Sequence, residues 1–390
     1  MTIYEKALEV QPFVQDCRRT IHRWPELGME EFRTTDFICE KLDEMGIPYR
    51  RLEPTGCIAE IKGNQSGKIV ALRADIDALQ MNEINDLPFR SERPGYMHGC
   101  GHDTHTAMLL GAAKVLNTMR EEINGTVRLI FQPSEENGLG SQVVVDQGGM
   151  EGVSACFGEH VFGGTGEKVG VVHYKKGGLF PSADTFWIHV HGIGCHGAMP
   201  DMGVDATVCA AAIVMNLQSI ASREISPLEP VVVTVGSLHS GTAYNICSGE
   251  AEMTGTVRTF SKEHRKTFPD RLCRIVENTA RAYRCTAEVE YGCGSSALIN
   301  DPYVTEIARK AAEKILPDSS LLVEGGGSMG AEDFSLYTEY VPCTFFTIGC
   351  GEETFNHNEH FVVDESIFPS GVALHVQFAI DYLNDQATNT

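Results

Sequence analysis

The chain has 390 residues, 42% of them hydrophobic and 22% charged, with a formal net charge of -22 at pH 7. That length exceeds what one hydrophobic core usually fills and points to two domains. The acidic excess repels phosphate backbones and anionic surfaces, which argues against a nucleic-acid or membrane partner. The longest near-continuous apolar run, Ala206–Met215, is too short to span a bilayer. No apolar core follows Met1 as a secretory signal, and the thirteen cysteines are scattered without CxxC spacing. Together these predict reduced thiols and a cytoplasmic protein.

Residues 4–46 predict helices broken near Trp24-Pro25 and ending at Gly46-Ile47-Pro48. Strand-length apolar runs follow at Ile69–Leu72 and Val127–Phe131, with helical periodicity over Thr104–Arg120 between them. Near Ser182 the character changes. Asp184–His191 alternates as a half-buried strand, Asp205–Ser222 reads as a helix, and Val231–Leu238 and Glu250–Arg258 read as strands. A helix over His264–Arg284 and a strand over Thr286–Tyr291 complete this region. Beyond it, Asp301–Ile315 is helical, Phe345–Ile348 a strand and Ser366–Leu383 a closing helix. The pattern predicts an α/β protein. Residues 1–182 and 296–390 form a discontinuous catalytic domain with a mainly parallel mixed sheet flanked by helices. A smaller α+β domain over 183–295 interrupts it.

The densest chemistry is His98-Gly-Cys-Gly-His102-Asp103-Thr-His105. Cys100 and His102, two apart, share no helix face but point the same way from an extended segment. Gly99 and Gly101 let the backbone bend closely around an ion, and thiolate and imidazole suit zinc and similar metals. The plainer alternative is a buried or reactive cysteine beside an N-capping Asp103. Phe131-Gln-Pro-Ser-Glu135-Glu136 closes an apolar strand, where ligands gather in open α/β sheets. Adjacent carboxylates rarely aim the same way, so one can bind metal while the other is a general base. The same residues also suit a solvated helix start. His160 follows a strand expected at Ser154–Gly158, and His357 and His360 stand in a polar loop before Phe361. Alone, each is an ordinary exposed histidine. Together, Cys100, His102, Glu136, His160 and His357 supply ligands for two metals at element ends.

Two rival motifs are weaker. Gly192-Ile-Gly194-Cys-His-Gly197 matches the dinucleotide fingerprint, but Pro200 falls where the phosphate-binding helix should run. Gly326-Gly-Ser328-Met-Gly330 matches a nucleophile elbow, with Asp364 and His375 following in order. Against a serine hydrolase, only 62 residues remain after Ser328 and the Cys/His/Glu cluster stays idle. HExxH and the zinc-deaminase signature are absent. The remaining class is a binding protein that keeps the fold without turnover, against which the complete set of reactive groups argues.

Several segments in order resemble one family. They are His22-Arg-Trp-Pro-Glu-Leu-Gly, Leu72-Arg-Ala-Asp-Ile-Asp-Ala-Leu, His98–His105, Phe131–Glu136, Gly192–Pro200, Gly255-Thr-Val-Arg258 and Gly330-Ala-Glu-Asp-Phe-Ser335. The chain is similar, over nearly its whole length, to the amidohydrolase branch of the dimetal aminoacylase and glutamate-carboxypeptidase-like metallopeptidases. That branch includes hippurate hydrolases, N-acyl-amino-acid hydrolases and indole-acetyl-amino-acid hydrolases.

The resemblance implies two divalent ions, zinc or manganese, with cobalt and nickel as further candidates. It implies Cys100, His102, Glu136, His160 and His357 as ligands, the Cys100 thiolate being shared, and Glu135 as the catalytic base. His357 is preferred to His360 because the family places the ligand four residues before the Phe. Asp75, Asp77, Asp103 and His105 orient the ligands from behind. His196 matches a residue that stabilises an oxyanion in a neighbouring subunit's site, and Asn245 and Arg258 match substrate-binding positions. A guanidinium suits a bidentate clamp on a substrate carboxylate; an ordinary ion pair is the plainer role for Arg258. The implied activity is hydrolysis of the amide bond of an N-acyl-amino acid by a homodimer assembled through the smaller, lid-like domain. A dipeptidase or carboxypeptidase of the same family is the alternative. Cys195 stands where relatives usually have Gly, Cys247 where they have Pro, and Asn358-Glu359-His360 departs from the usual loop after the ligand. These departures bear on substrate choice.

Overall fold

The computed structural model describes residues 1–64, 67–164, 166, 168–351 and 354–385. A capping box starts the chain: the Thr2 hydroxyl accepts from the Glu5 N–H while the Glu5 carboxylate accepts from the Thr2 N–H. It opens α1 (Ile3–His22), followed by α2 (Phe32–Glu44). Then come β1 (Tyr49–Arg51), β2 (Cys57–Lys62), β3 (Ile69–Asp75), α3 (His102–Thr118), β4 (Thr126–Gln132), α4 (Gly140–Asp146), β5 (Val153–Gly163), β6 (Val172–Tyr174) and β7 (Gly177–Phe180). The next elements are β8 (Ser182–His191), β9 (Cys195–His196), α5 (Ala206–Ser219), β10 (Val231–Ser240), β11 (Ile246–Cys247), β12 (Glu250–Thr259), α6 (Lys262–Ala282) and β13 (Thr286–Gly292). The chain finishes through β14 (Leu298–Asn300), α7 (Pro302–Ile315), β15 (Leu322–Glu324), β16 (Cys343–Gly351) and α8 (Phe368–Asn384).

These elements divide into two compact units. The larger holds Met1–Leu179, Ile299–Gly327 and the segment from Glu332 onward; the smaller holds Phe180–Leu298 and Ser328–Ala331. In the larger, an eight-stranded sheet runs β1-β2-β4-β3-β5-β16-β6-β15. Its central strands β4, β3, β5 and β16 are parallel and buried on both faces, as their near-continuous apolar sequences require. α3 and α8 lie against this sheet, with α1 packed on both. The register sets Asp75 beside Gln132, Arg73 beside Gly158 and His160 beside Thr347. Asp75, Gln132, His160 and Thr347 therefore share one level near the carboxyl ends of the parallel strands.

The smaller unit has an antiparallel sheet, β10-β12-β8-β13, covered by α5 and α6. β8 alternates buried and open positions, and Phe186, Ile188 and Val190 meet Cys209, Ile213 and Leu217 of α5 and Phe268, Leu272 and Val276 of α6. β9 and β11 form a separate two-stranded ribbon.

Some local expectations change. β5 runs to Gly163, so His160 lies inside a strand and not after it; Glu159-His160 masked the apolar continuity. α3 begins at His102, and Gly101 (φ +95) forms its N-cap. Cys100 and His102 thus straddle a turn into a helix and do not lie along an extended segment. Ser328 sits on no elbow. Gly325, Gly326 and Gly327 all have positive φ, the Ser328 hydroxyl accepts the Gly330 N–H, and only the short turn Asp333–Glu339 follows. Asp364 is spent capping Ser366, and His375 is buried against Glu159. After Gly192–Gly197 come β9 and the turn Pro200–Met202, with no phosphate-binding helix.

Candidate metal centre

Four segments converge beyond the parallel strands of the larger unit. Gly101 lets the chain turn from Cys100 into α3: a Cβ there would stand 2.4 Å from Val161 Cγ2. β4 delivers Glu135 and Glu136 past Pro133, β5 delivers His160, and the loop after β16 delivers His357. That loop is tied down by Asn356, whose amide donates to the carbonyls of Cys100 and Val161 at 3.0 Å each and accepts the Gly163 N–H at 3.0 Å. The His357 N–H donates to Gly99 O at 2.8 Å. His360 is exposed beyond this, its N–H taken by Asn358.

The donor atoms face one another. Cys100, His102 and His160 form one group whose ligand atoms lie within 4.8 Å of each other; Cys100, Glu136 and His357 form another. Cys100 Sγ is 3.3 Å from His160 Nε2, and His357 Nε2 is 3.3 Å from Glu136 Oε1. Ligands around one tetrahedral ion at 2.0–2.3 Å stand about 3.3–3.8 Å apart. The groups share Cys100, the arrangement a bridging thiolate needs. Glu135 joins His102 and Glu136 in a third group.

Partners behind the ligands fix which atom each presents. His102 Nδ1 donates to Asp77 at 3.0 Å, and the other Asp77 oxygen accepts the Glu136 N–H at 3.0 Å. His160 Nδ1 donates to the Val161 carbonyl at 2.8 Å, leaving its Nε2 lone pair toward Cys100. Among the described residues, His102 Nε2 and Glu136 Oε1 are buried and make no hydrogen bond of good geometry, the His357 ring lying near Glu136 only as an ion-pair neighbour. Buried polar atoms are rarely left so, and an ion between them satisfies both. His105 is different: Nδ1 donates to Asp75 at 2.6 Å and Nε2 accepts the Val161 N–H at 2.9 Å, so neither nitrogen is free to ligate. Asp103 turns toward α1, bonded to Arg18 Nε and His22 Nδ1 at 2.8 Å each.

Burial pushes the Cys100 thiol up to about 12, and burial with His105 holds the His160 imidazole well below its usual range, hence neutral. Burial opposes ionisation of Glu136, but His357 and His102 outweigh it and lower its pKa. Burial, then the Glu332 and Asp333 carboxylates, raise Glu135 well above the usual carboxylate range. A bound dication, the largest local charge, opposes that shift.

A second buried network had no assigned role in the sequence. Arg73, fully enclosed, donates to Gln132 at 2.9 Å, Asp75 at 2.6 Å, and Glu332 and Asp333 at 3.0 Å each. Asp333 also accepts from Gln132 and the Ser141 N–H, and its own N–H faces Glu135 Oε1 at 3.4 Å. Arg73 thus links Asp75, behind the ligands, to the acidic pair beside Glu135. An arginine within an otherwise apolar strand was the available signal.

His196, Asn245 and Arg258 lie in the smaller unit. His196 Nδ1 accepts the Ala198 N–H at 3.1 Å, which leaves the neutral ring's proton on Nε2. Arg258 carries a buried Nη1 with no hydrogen-bond partner among the described residues.

Residues 71–381 match the model of peptidase family M20/M25/M40. An N-acetylcysteine deacetylase of Bacillus subtilis is 40% identical over 355 residues, covering 90% of this chain and 91% of the relative. Thermostable carboxypeptidase 1 of Saccharolobus solfataricus is 36% identical over 386 residues, 96% of this chain and 97% of that one. The crystal structure of Bacillus subtilis YXEP, described as a dinuclear metal-binding peptidase of the M20 family, superimposes with a TM-score of 0.85 at 35% identity, covering 96% and 99% of the two chains. With its ligand groups sharing Cys100 and the match spanning both units, the chain belongs to the M20/M25/M40 peptidase family.

Proposed function

We propose that this protein is a metal-dependent amidohydrolase that cleaves the amide bond of N-acyl-amino acids, giving a carboxylic acid and a free amino acid. The observation that carries this reading is Cys100 shared between two ligand groups with Glu135 beside them. Relatives named for deacetylation and for N-acyl-L-amino acid amidohydrolysis, 40% and 41% identical, support it. Cys100, His102, Glu136, His160 and His357 hold two divalent ions, zinc or manganese. When bound, these ions supply Lewis acidity for water and for the amide carbonyl. Glu135 removes a proton from the attacking water and returns it to the departing amine. The free Nε2–H of His196 is the kind of donor that stabilises a developing oxyanion. Arg258, whose buried Nη1 has no hydrogen-bond partner among the described residues, and Asn245 hold the substrate carboxylate. Asp75, Asp77 and His105 keep the ligands oriented.

The smaller unit acts as a lid and as the surface for a second copy. Exposed Val208 and Met215, seven apart on α5, support that surface, as does Leu238 on β10. Sedimentation at low micromolar concentration should give a dimer. A persistent monomer with full activity would remove this assignment. We place the protein in the cytoplasm, a compartment that suits its thirteen free cysteines.

A second reading follows from the relatives named carboxypeptidases, 36% and 37% identical: the substrate's acyl group is itself an amino acid. One experiment separates them. Amino-acid release is measured from N-acetyl-, N-benzoyl- and longer N-acyl-amino acids and from dipeptides, with manganese or zinc supplied and a chelated control. Chelator-sensitive release from the acyl series supports the first reading, and preference for dipeptides supports the second. Release indifferent to chelator would sink both.

A further inference from the structure

β9 and β11 are a ribbon of two residues per strand, and they place Cys195 directly opposite Cys247. Directly opposed residues of an antiparallel pair have Cα atoms about 4.5–5.5 Å apart, inside the roughly 4.4–6.8 Å that a disulfide spans. The neighbouring Cys195 thiol is the chief cause that raises the Cys247 pKa, in keeping with that opposition. Gly203 makes room for the pair, since a Cβ there would lie 2.6 Å from Cys195 Sγ. Both residues are partly exposed. The other neighbouring cysteines, Cys39 with Cys57, Cys156 with Cys343 and Cys209 with Cys285, are buried on both sides. Access therefore singles out one pair.

The same ribbon carries two residues assigned to the substrate. Ile246 is opposite His196, one step from the cysteines, and the Gly197 N–H donates to the Asn245 carbonyl at 2.7 Å. Opposed Cβ atoms stand about 4.5–5.5 Å apart, whereas a disulfide draws them to about 3.8 Å. In so short a ribbon, a contraction at that position falls directly beside His196 and Asn245.

We infer that Cys195 and Cys247 form a reversible disulfide under peroxide, and that this disulfide turns the enzyme down by displacing His196 and Asn245. The second half rests on the reading of those two residues given above. The first thiolate attacks hydrogen peroxide, making an S–O bond, breaking the O–O bond and expelling hydroxide, which takes up that thiol's proton as water. The second thiol's sulfur then attacks the sulfenic sulfur, making the S–S bond and breaking the S–O bond. The departing oxygen leaves as water with the second proton. Two thiols and one peroxide give one disulfide and two waters, with two electrons passing from sulfur to oxygen.

The test uses reduced, metal-loaded, full-length protein exposed to graded hydrogen peroxide, then alkylated and mapped by peptide mass spectrometry without reduction. We expect a Cys195–Cys247 cross-link and a kcat loss of roughly tenfold or more, in keeping with the cost of small displacements. A phosphine reductant should restore turnover with metal content unchanged, and Cys247→Ser and Cys195→Ser should each resist. Both thiols alkylated after peroxide would overturn the inference. So would a cross-link without loss of turnover, or equal loss in the serine variants, which would point to Cys100. His196→Ala in reduced protein tests the underlying reading separately: full turnover there, with the cross-link still forming, places the failure in that reading and not in the disulfide.

Discussion

Glu135 and Glu136 are adjacent in the chain but differ in surroundings. Glu136 faces His357 and His102, while Glu135 sits with Glu332 and Asp333. Both lie near His102, but only Glu136 shares a group with Cys100 and His357, and only Glu135 shares one with two further carboxylates. Glu135→Gln should keep both ions, measured by elemental analysis, and lose about 10²-fold or more in kcat, the usual scale for a general base; near-normal turnover would remove it from that role. Cys100→Ala should lose metal as well as activity, because both ligand groups use its sulfur; full metal content in that variant would refute the shared thiolate. A pH effect arises at Glu31, which bonds the backbone just before Glu135. Burial pushes Glu31 up to about 7 from 4.5, despite hydrogen bonds from Thr55 and the Ser134 N–H. The folded state thus holds this proton more tightly than the unfolded state. Its contribution is greatest below about pH 4.5 and is lost as pH rises to about 7, by up to the order of 3 kcal/mol. Urea midpoints taken from pH 5 to 8 should fall less steeply in Glu31→Gln than in wild type; parallel slopes would clear Glu31 of the effect.

At the scale of elements, the site depends on two connections that carry no reactive group. Gly101 has a left-handed φ and no space for a side chain, and Asn356 ties the His357 loop to Cys100 and Val161. Asn356→Ala should leave the fold intact and weaken metal affinity by roughly 10–100-fold, as losses behind the ligands commonly do; titration with a competing chelator reads this directly. What the sequence made legible follows the same division. The long apolar strands and amphipathic helices were readable because burial on one or two faces prints a period into the chain. The Cys-x-His and Glu-Glu motifs were readable because reactive types crowd together. Asn356 and Arg73 act through contacts with residues far away in sequence; nothing local marks Asn356, and an arginine in an apolar strand marks Arg73 without naming its partners. β1 and β2 were also not anticipated. These short edge strands depend on partners supplied elsewhere, β2 on β4 above all. His105 was expected behind the ligands, and the contacts that occupy both its nitrogens, Asp75 and the Val161 N–H, come from two strands.

For the whole molecule, two units with separate cores imply separable responses to metal. All five proposed ligands lie in the larger unit, so chelation should lower the unfolding temperature of that unit by mass action and leave the smaller one's unchanged. Calorimetry with and without chelator checks this, and equal shifts of every transition would contradict it. The order of the central sheet also sets a timetable for synthesis. β16 lies between β5 and β6, yet it is made about 180 residues after β5 ends. At 5–20 residues per second, the inner edge of β5 waits roughly 10–40 s for its neighbour. During that interval a growing chain presents a bare, apolar strand edge that can pair with other chains. That edge closes only when β16, in the last quarter of the polypeptide, leaves the ribosome.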